Sequence, residues 1–403
     1  MILDSETGVD LPEQLLELRQ AFREMARTRL GGSGRERDRE ARFWREGWRA
    51  CAEEGLLGLP VPREDGGRAE GMLATIIAME TLGEEVDDLG LLFAINAHLW
   101  AAVMPIVQVG SAEQKVRWLP GLLDGTTIAG HGATEPDAGS DVFSMTTTAR
   151  REGDAWVVEG TKSYVANAPI ADVLIIYAVT QPGRGELGIS AFIVPRDTPG
   201  LRIGEPLDTM GLRSAPSATV VMEACRLPDE ALLGGAGRGA ACFNASMEME
   251  RGAILAMHVG RMSRQLDEVI EFARTRRQFD RPVGSFQSVA NRIVDMRIRL
   301  ETSRPLVRRI GELKDQGRQA MLEAAMAKLH VSESAVQSAL DAVQIMGSRG
   351  YLREGDVERD LRDALGARVY SGTNEMQRVL IARLLGLPSS LPERSTRGEP
   401  PEG

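Results

Sequence analysis

Cysteine is scarce in this sequence: three residues in 403, and Cys51, Cys225 and Cys242 stand far apart with no CxxC spacing. Histidine is nearly as rare, at four, so a zinc site from these ligands is excluded and buried free thiols are expected. Excess positive charge is missing too. A net charge of -10 argues against a nucleic-acid surface and leaves only local anion sites at Arg-rich pieces such as Arg274 to Arg277. The start, MILDSETGVDLPEQ, has no basic region followed by an apolar run, so no secretory signal is visible and a cytosolic protein is expected. One long stretch, Leu89 to Gly110, is uncharged, but it contains Asn96, His98, Pro105 and Gln108. That favours a buried helix pair broken at Pro105 over a membrane span. Gly234 to Gly239 lacks the strand and helix of a phosphate loop and reads as a connector.

What is present is a globular chain, 43% hydrophobic and long enough for two or three domains. From Leu11 to about Gly125 the period is helical, with Leu15, Leu18, Phe22 and Met25 on one face. After Gly125 come short β-branched or aromatic runs at Trp156, Val173, Ser190 and Ala218, separated by turns. The helical period returns in four long blocks, Ala240 to Thr275, Gln287 to Gln316, Arg318 to Met346 and Asp356 to Leu385. The fold class is α+β: an N-terminal α-helical domain (1–126), a central antiparallel β-barrel or sandwich domain (127–234) and a C-terminal four-helix bundle (235–387). A tail (388–403) rich in Pro, Ser, Glu and Arg is expected to be disordered.

One stretch of the first bundle helix stands out. Phe243, Met247, Ile254 and Met257 form an apolar stripe, and Glu250 falls inside it. Ionised and unpaired, such a carboxylate costs several kcal/mol, so it is paired, neutral or waiting for a proton. Pairing with an arginine is the structural alternative to a catalytic role.

Several blocks in order resemble the acyl-CoA dehydrogenase family, over about residues 40 to 387. They are Thr134 to Asp141 (TEPDAGSD), Met210 to Ser214 with Arg226-Leu-Pro, Arg276 to Pro282 (RRQFDRP) with Gln287, Gln344 to Tyr351 (QIMGSRGY) and Tyr370 to Gln377 (YSGTNEMQ). The resemblance implies FAD. His131, Thr134 and Ser140 would contact it, Tyr164 and Ala166 would cover its ring, and Thr373 and Glu375 would complete the set. Arg276, Gln278, Phe279, Gln287, Gln344, Gly347 and Ser348 would reach the FAD of a neighbouring subunit, which implies a homo-oligomer, a tetramer of two dimers. The Gly/Ser/Thr loop suits a flavin edge because it presents N–H groups and hydroxyls, though it also reads as a plain hairpin.

In many relatives the catalytic base occupies the position of Ser371, whose hydroxyl is far too weak for the task. A second group places a glutamate just before an arginine on the first bundle helix, which Glu250-Arg251 matches. Ser371 would still offer its backbone N–H to the thioester oxygen. Ser140, Glu248 and Arg251 complete the substrate contacts that the resemblance implies, although Glu248 and Arg251, three apart, also fit a surface pair. Ala166 stands where most members place a threonine hydroxyl at flavin N5.

The reaction expected from the resemblance is α,β-dehydrogenation of an acyl thioester. The motifs are most similar to enzymes acting on prolyl groups tethered to a carrier protein in natural-product pathways. Small or branched acyl-CoA dehydrogenases are the alternative, and Ala166 keeps a flavin oxidase or monooxygenase open. Electron-transfer flavoprotein or oxygen would accept the electrons.

Overall fold

A computed structural model describes residues 11–32 and 34–388. The expectations of no secretory signal at the start and of a disordered tail fall on residues that, apart from 11–14 and 388, lie outside the described ones. Seven helices come first: α1 (Glu13–Arg29), α2 (Gly34–Glu40), α3 (Arg45–Glu53), α4 (Gly71–Glu85), α5 (Leu89–His98), α6 (Met104–Val109) and α7 (Ala112–Leu123). α7 starts at a capping box, with Ser111 Oγ accepting the Gln114 N–H and Gln114 answering through the Ser111 N–H.

Leu89–Val109 is long and apolar enough to cross a membrane, but 94% of its most apolar 18-residue window is buried inside the protein. The interruption expected at Pro105 comes earlier. Leu99–Val103 is a π-helical stretch between α5 and α6, and Pro105 sits in the first turn of α6. Proline has no N–H to give, so the wider i to i+5 pattern re-pairs the carbonyls just before it: the Met104 N–H reaches Leu99 O.

The strands are β1 (Ala129–Gly132), β2 (Thr148–Glu152), β3 (Ala155–Ala166), β4 (Val173–Val179), β5 (Ile189–Pro195), β6 (Leu201–Ile203), β7 (Ser217–Pro228) and β8 (Leu232–Leu233). They form one sheet in the order β6-β7-β3-β2-β4-β5-β8, with β1 also on β4. The sheet is mixed, which corrects the all-antiparallel expectation. β1 runs parallel to β4 at 173–176, and β2 meets the same edge at Val179, also parallel. Two short strands thus share one edge in succession, and the chain between them, carrying Thr134 to Asp141, is extruded from the sheet. Neither β1, with sequence AGHG, nor β2 has the branched apolar run that marks a strand.

β4 is buried on both faces. Leu174, Ile176 and Ala178 join the core of the β domain, while Val173, Ile175 and Tyr177 join the larger core shared with the helices. This period of two aims Tyr177 at the bundle.

The bundle contains α8 (Gly239–Ala253), α9 (Ala256–Thr275), α10 (Gln287–Asp315), α11 (Met321–Met346), α12 (Ser348–Tyr351), α13 (Val357–Gly366) and α14 (Asn374–Leu384), with a two-stranded hairpin of β9 (Arg277–Gln278) and β10 (Arg281–Pro282). Two of the four expected long helices are broken. The first changes step at Ile254-Leu255, where the His258 N–H bonds to Leu255 O. The last is interrupted between α13 and α14, because Ser371 (φ 55) and Gly372 (φ 88) are left-handed and cannot continue a helix. α4 packs against α9 and α10, and Gly83 and Gly260 let it approach α9 closely: a Cβ at either would strike the backbone of the other helix. All three cysteines are free and buried.

Candidate active site

The break between α13 and α14 lies against α8. Ser371 Oγ donates to Glu250 Oε1, and the Arg251 Nε–H donates to the Ser371 carbonyl at 3.0 Å. Glu250 is buried, at 9% exposure. Burial pushes its carboxyl above the ordinary range, against the opposing pull of the Ser371 hydroxyl and the Arg251 charge. Its hydrogen-bond partner is therefore the turn, and Arg251 turns to the same residue. The N–H of Ser371 meets no acceptor among the described residues.

Around this corner the walls are aromatic. Tyr370 packs on Phe93 with centroids 5.0 Å apart, and its hydroxyl lies 2.7 Å from His258 Nε2. Burial, helped by Arg261, pulls His258 down to about 3, so its ring is neutral. Tyr177 meets Phe243 edge-on at 5.6 Å and His131 at 5.2 Å, while Phe243 stacks on His131 at 5.9 Å. Burial and the Lys162 charge hold His131 at about 4. The His131 Nε2 is buried and meets no partner among the described residues.

Beneath the extruded loop lies a pair that reading the sequence missed. Glu135 and Lys162, 3% and 0% exposed in their side chains, are joined at 2.8 Å. Glu135 also accepts the Thr146 N–H at 2.6 Å and the Thr147 N–H at 3.0 Å. Burial raises this carboxyl, but Lys162 and the hydrogen bonds outweigh it and hold it at about 2. The loop is clamped from below, leaving Ser140 exposed, and Thr134 O is fixed by the Ser163 N–H at 2.8 Å.

Lys328 was missed as well. It is fully buried on α11 and donates to Asn374 Oδ1 at 2.8 Å; Ser332 Oγ donates to the same atom at 3.0 Å, and the Asn374 side-chain amide reaches Glu333 at 2.8 Å. This anchors the start of α14, whose cap is Thr373. The signal was available: Lys328 lies within the apolar face of Ala324, Ala327, Val331 and Ala335, just as Glu250 lies within its stripe.

Glu248 corrects the surface-pair reading. It is buried, and its Oε1 accepts the Ala320 N–H at 2.5 Å and pairs with Lys314 at 3.2 Å. It ties down the α10–α11 connection and does not form a surface pair with Arg251.

The remaining expected residues face solvent. Tyr164 (φ 56) is 72% exposed and Phe279 (φ 50) 88%. Arg276, Gln278, Gln287, Gln344, Gly347, Ser348 and Glu375 are also exposed, and Ala166 is half-buried at the end of β3. Thr275 and Met346, adjoining Arg276 and Gly347, line one cleft of ≈790 Å³ with Arg349 and Phe272. Along α9 from His258 to Thr275 is about 25 Å at 1.5 Å per residue, so this group is well separated from Glu250.

The chain matches the models of the acyl-CoA dehydrogenase N-terminal domain at 12–126, middle domain at 130–225 and C-terminal domain at 237–386. An L-prolyl peptidyl-carrier protein dehydrogenase of Pseudomonas fluorescens is 45% identical over 89% of this chain and 94% of its own. Short-chain specific acyl-CoA dehydrogenase of Mus musculus is 37% identical over 93% and 90%. Among solved structures, the prolyl acyl carrier protein oxidase AnaB superposes with a TM-score of 0.92 at 43% identity, covering 94% of this chain and 100% of that one. PigA with FAD and proline gives 0.92 at 39%, covering 94% and 99%. The protein belongs to the acyl-CoA dehydrogenase family.

Proposed function

We propose that this protein is a FAD-dependent dehydrogenase that introduces an α,β double bond into an acyl thioester, and that its substrate is a prolyl-like aminoacyl group on a carrier protein. One observation carries the mechanism: a buried carboxylate, Glu250, lies against the turn whose Ser371 N–H is unpaired. Glu250 takes the α proton, for which a desolvated carboxylate is a stronger base than one in water. The Ser371 N–H binds the thioester oxygen and stabilises the enolate charge that develops, an interaction typically worth about 3 kcal/mol. Arg251, gripping the Ser371 carbonyl, keeps that N–H in place.

The residues present fit FAD. The orphaned His131 Nε2 and the clamped, exposed loop from Thr134 to Ser140 offer polar groups to it, and Tyr164 and Ala166 lie at the neighbouring strand end. Thr373 and Glu375 belong to the same set. When bound, FAD supplies the acceptor for the electron pair leaving with the β hydrogen. Arg276, Gln278, Phe279, Gln287, Gln344, Gly347 and Ser348 serve a second copy of the chain, so the working form is a homo-oligomer, a tetramer in our reading, in the cytoplasm.

The carrier-bound prolyl substrate is supported by the resemblance to the prolyl enzymes, of which AnaB and PigA are solved. Ala166 favours a second reading of the electron acceptor. It brings no hydroxyl to the flavin, and the oxidase AnaB is among the relatives, so oxygen is a candidate acceptor beside electron-transfer flavoprotein.

The base is tested by mixing FAD-loaded Glu250→Gln protein anaerobically with prolyl-carrier protein or isovaleryl-CoA. Flavin bleaching is expected to slow by about 10²–10⁴; bleaching at the wild-type rate would sink the assignment. Mass spectrometry of the thioester after wild-type turnover, looking for loss of two or four hydrogens, decides between acyl classes.

A further inference from the structure

Serine is too weak to replace a glutamate as base, yet Ser371 is tied into the site at both ends. Its hydroxyl donates to Glu250 and its carbonyl accepts from Arg251, two adjacent residues of α8. It holds a left-handed conformation, φ 55, that an L residue adopts only when its surroundings impose it, and Gly372 continues it at φ 88. A residue supplying only an N–H would have no need of a side chain here, and glycine would hold this backbone without strain.

The hydroxyl answers a problem that burial creates. A carboxylate sealed in an apolar stripe tends to stay protonated, and a protonated base is useless. A hydrogen-bond donor to one carboxylate oxygen favours the ionised form and fixes the rotation of the group. The other titratable groups facing this corner cannot do the same. Tyr177 of β4 and Tyr370 of the turn are phenols kept protonated by burial, and their hydroxyls are engaged elsewhere, Tyr177's on Cys242 Sγ and Tyr370's with His258 Nε2. His258 of α9 is neutral and taken by Tyr370. Lys328 of α11, pulled to about 7 by burial and by Arg251, is directed at Asn374. Arg251 contributes its charge, but its Nε–H goes to the Ser371 carbonyl.

We propose that Ser371 is a positioning residue for the base, its hydroxyl keeping the Glu250 carboxylate ionised and turned toward the substrate. This rests on Glu250 being the base. The position that carries the base in other members of the family here carries the group that conditions it.

The test uses the FAD-loaded oligomer and the rate of anaerobic flavin reduction against pH, with prolyl-carrier protein, or with isovaleryl-CoA if that alone bleaches the wild type. Ser371→Gly removes the hydroxyl and suits the left-handed backbone; Ser371→Ala removes it and keeps the strain. Both retain the N–H, and Lys328 and Arg251 are unchanged in both. Losing a donor to the ionised form raises the base's pKa, so the acid limb of the profile should move to higher pH by about one unit in both variants, with the limiting rate down two- to tenfold. KM and the flavin spectrum should stay near wild type. Acid limbs that overlay the wild type, or a shift in alanine alone, would overturn the proposal. Glu250→Gln run alongside separates the failures: if it is inactive while both Ser371 profiles match wild type, only this inference falls, whereas a fully active Glu250→Gln removes the base and this inference together.

Discussion

Glu250 and Phe279 belong to the same helical bundle, yet one is sealed between α8 and a turn of the same chain while the other stands 88% exposed at the tip of a two-stranded hairpin. The difference runs through the whole site. Around Glu250, the side chains of Glu250, Ser371, Arg251, Tyr370 and Lys328 find their partners within the chain. Toward the hairpin, Arg276, Gln278 and Phe279 hold out side chains that the chain does not cover, while the left-handed Phe279 (φ 50) and Asp280 (φ 59) are the two central residues of the tight hairpin turn. The buried corner is completed within one chain, and the hairpin is not; a second copy of the chain is the partner we propose for it.

The comparison breaks most severely at the platform under the extruded loop. Glu135→Ala strands Lys162 as an unpaired buried charge and should cost about 3–5 kcal/mol, read from urea unfolding. The sign with pH is fixed. With its folded pKa depressed to about 2, Glu135 contributes stability above the ordinary carboxylate range that is lost as pH falls through about 2. The variant should therefore lose stability less steeply on acidification than wild type.

Next is the exposed group. Arg276→Ala removes a charged donor whose hydrogen bonds are typically worth about 1.5–3 kcal/mol, so FAD retention during ultrafiltration should weaken by roughly ten- to a hundredfold. The acid limb of the reaction should stay where it was, because α9 alone sets about 25 Å between His258, beside the proposed base, and Thr275, beside Arg276. A shift in that limb would mean that the two groups are not separate.

A smaller effect belongs to the buried side. Asp363 Oδ1 accepts the Leu212 N–H at 2.6 Å, and burial, reinforced by Asp360, lifts its carboxyl to about 7. A raised acid contributes stability while protonated and loses it as pH climbs through about 7. Asp363→Asn should then raise the Tm by a few degrees at pH 8 and leave it unchanged at pH 4, measured by calorimetry. Smallest is Ala166→Thr, which adds one neutral hydrogen bond of about 1 kcal/mol at most. Stopped-flow reoxidation of reduced enzyme should slow in air if the missing hydroxyl is what leaves the flavin open to oxygen.

Legibility followed the same divide. The buried Glu250 was legible because a charge inside a 3.6-residue apolar stripe violates the pattern, and we propose the base there because Ser371 lacks the chemistry. The strands with branched apolar cores, β4 and β5, were plain. β1 and β2 were not, since AGHG carries no strand signal and its pairing with β4 is decided by partners far away in sequence. Glu248 misled because helical spacing gives its distance from Arg251 but not the direction of the α10–α11 connection that captures it. Glu135 and Lys162 are 27 residues apart, and only the fold brings them together. The break at Ser371 was hidden because left-handed φ at a serine has no sequence signature.

The π-helical stretch at Leu99–Val103 has an effect on how the chain can evolve. Its Trp100 carbonyl takes the Ser246 hydroxyl of the base helix at 3.0 Å, while Asn96, one turn earlier, takes the Trp100 indole N–H at 2.9 Å. Such a stretch amounts to one surplus residue in a helix. Deleting that surplus residue would restore a regular α-helix with its flanks in phase, whereas deleting one elsewhere in α5 or α6 would rotate everything beyond it by about 100°. Gln108, which reaches Met249 on the other side of that stretch, would then face elsewhere. α5 and α6 are therefore intolerant of length change outside that turn even where they tolerate changes of side chain: their alignment with α8 is stored as a count of residues.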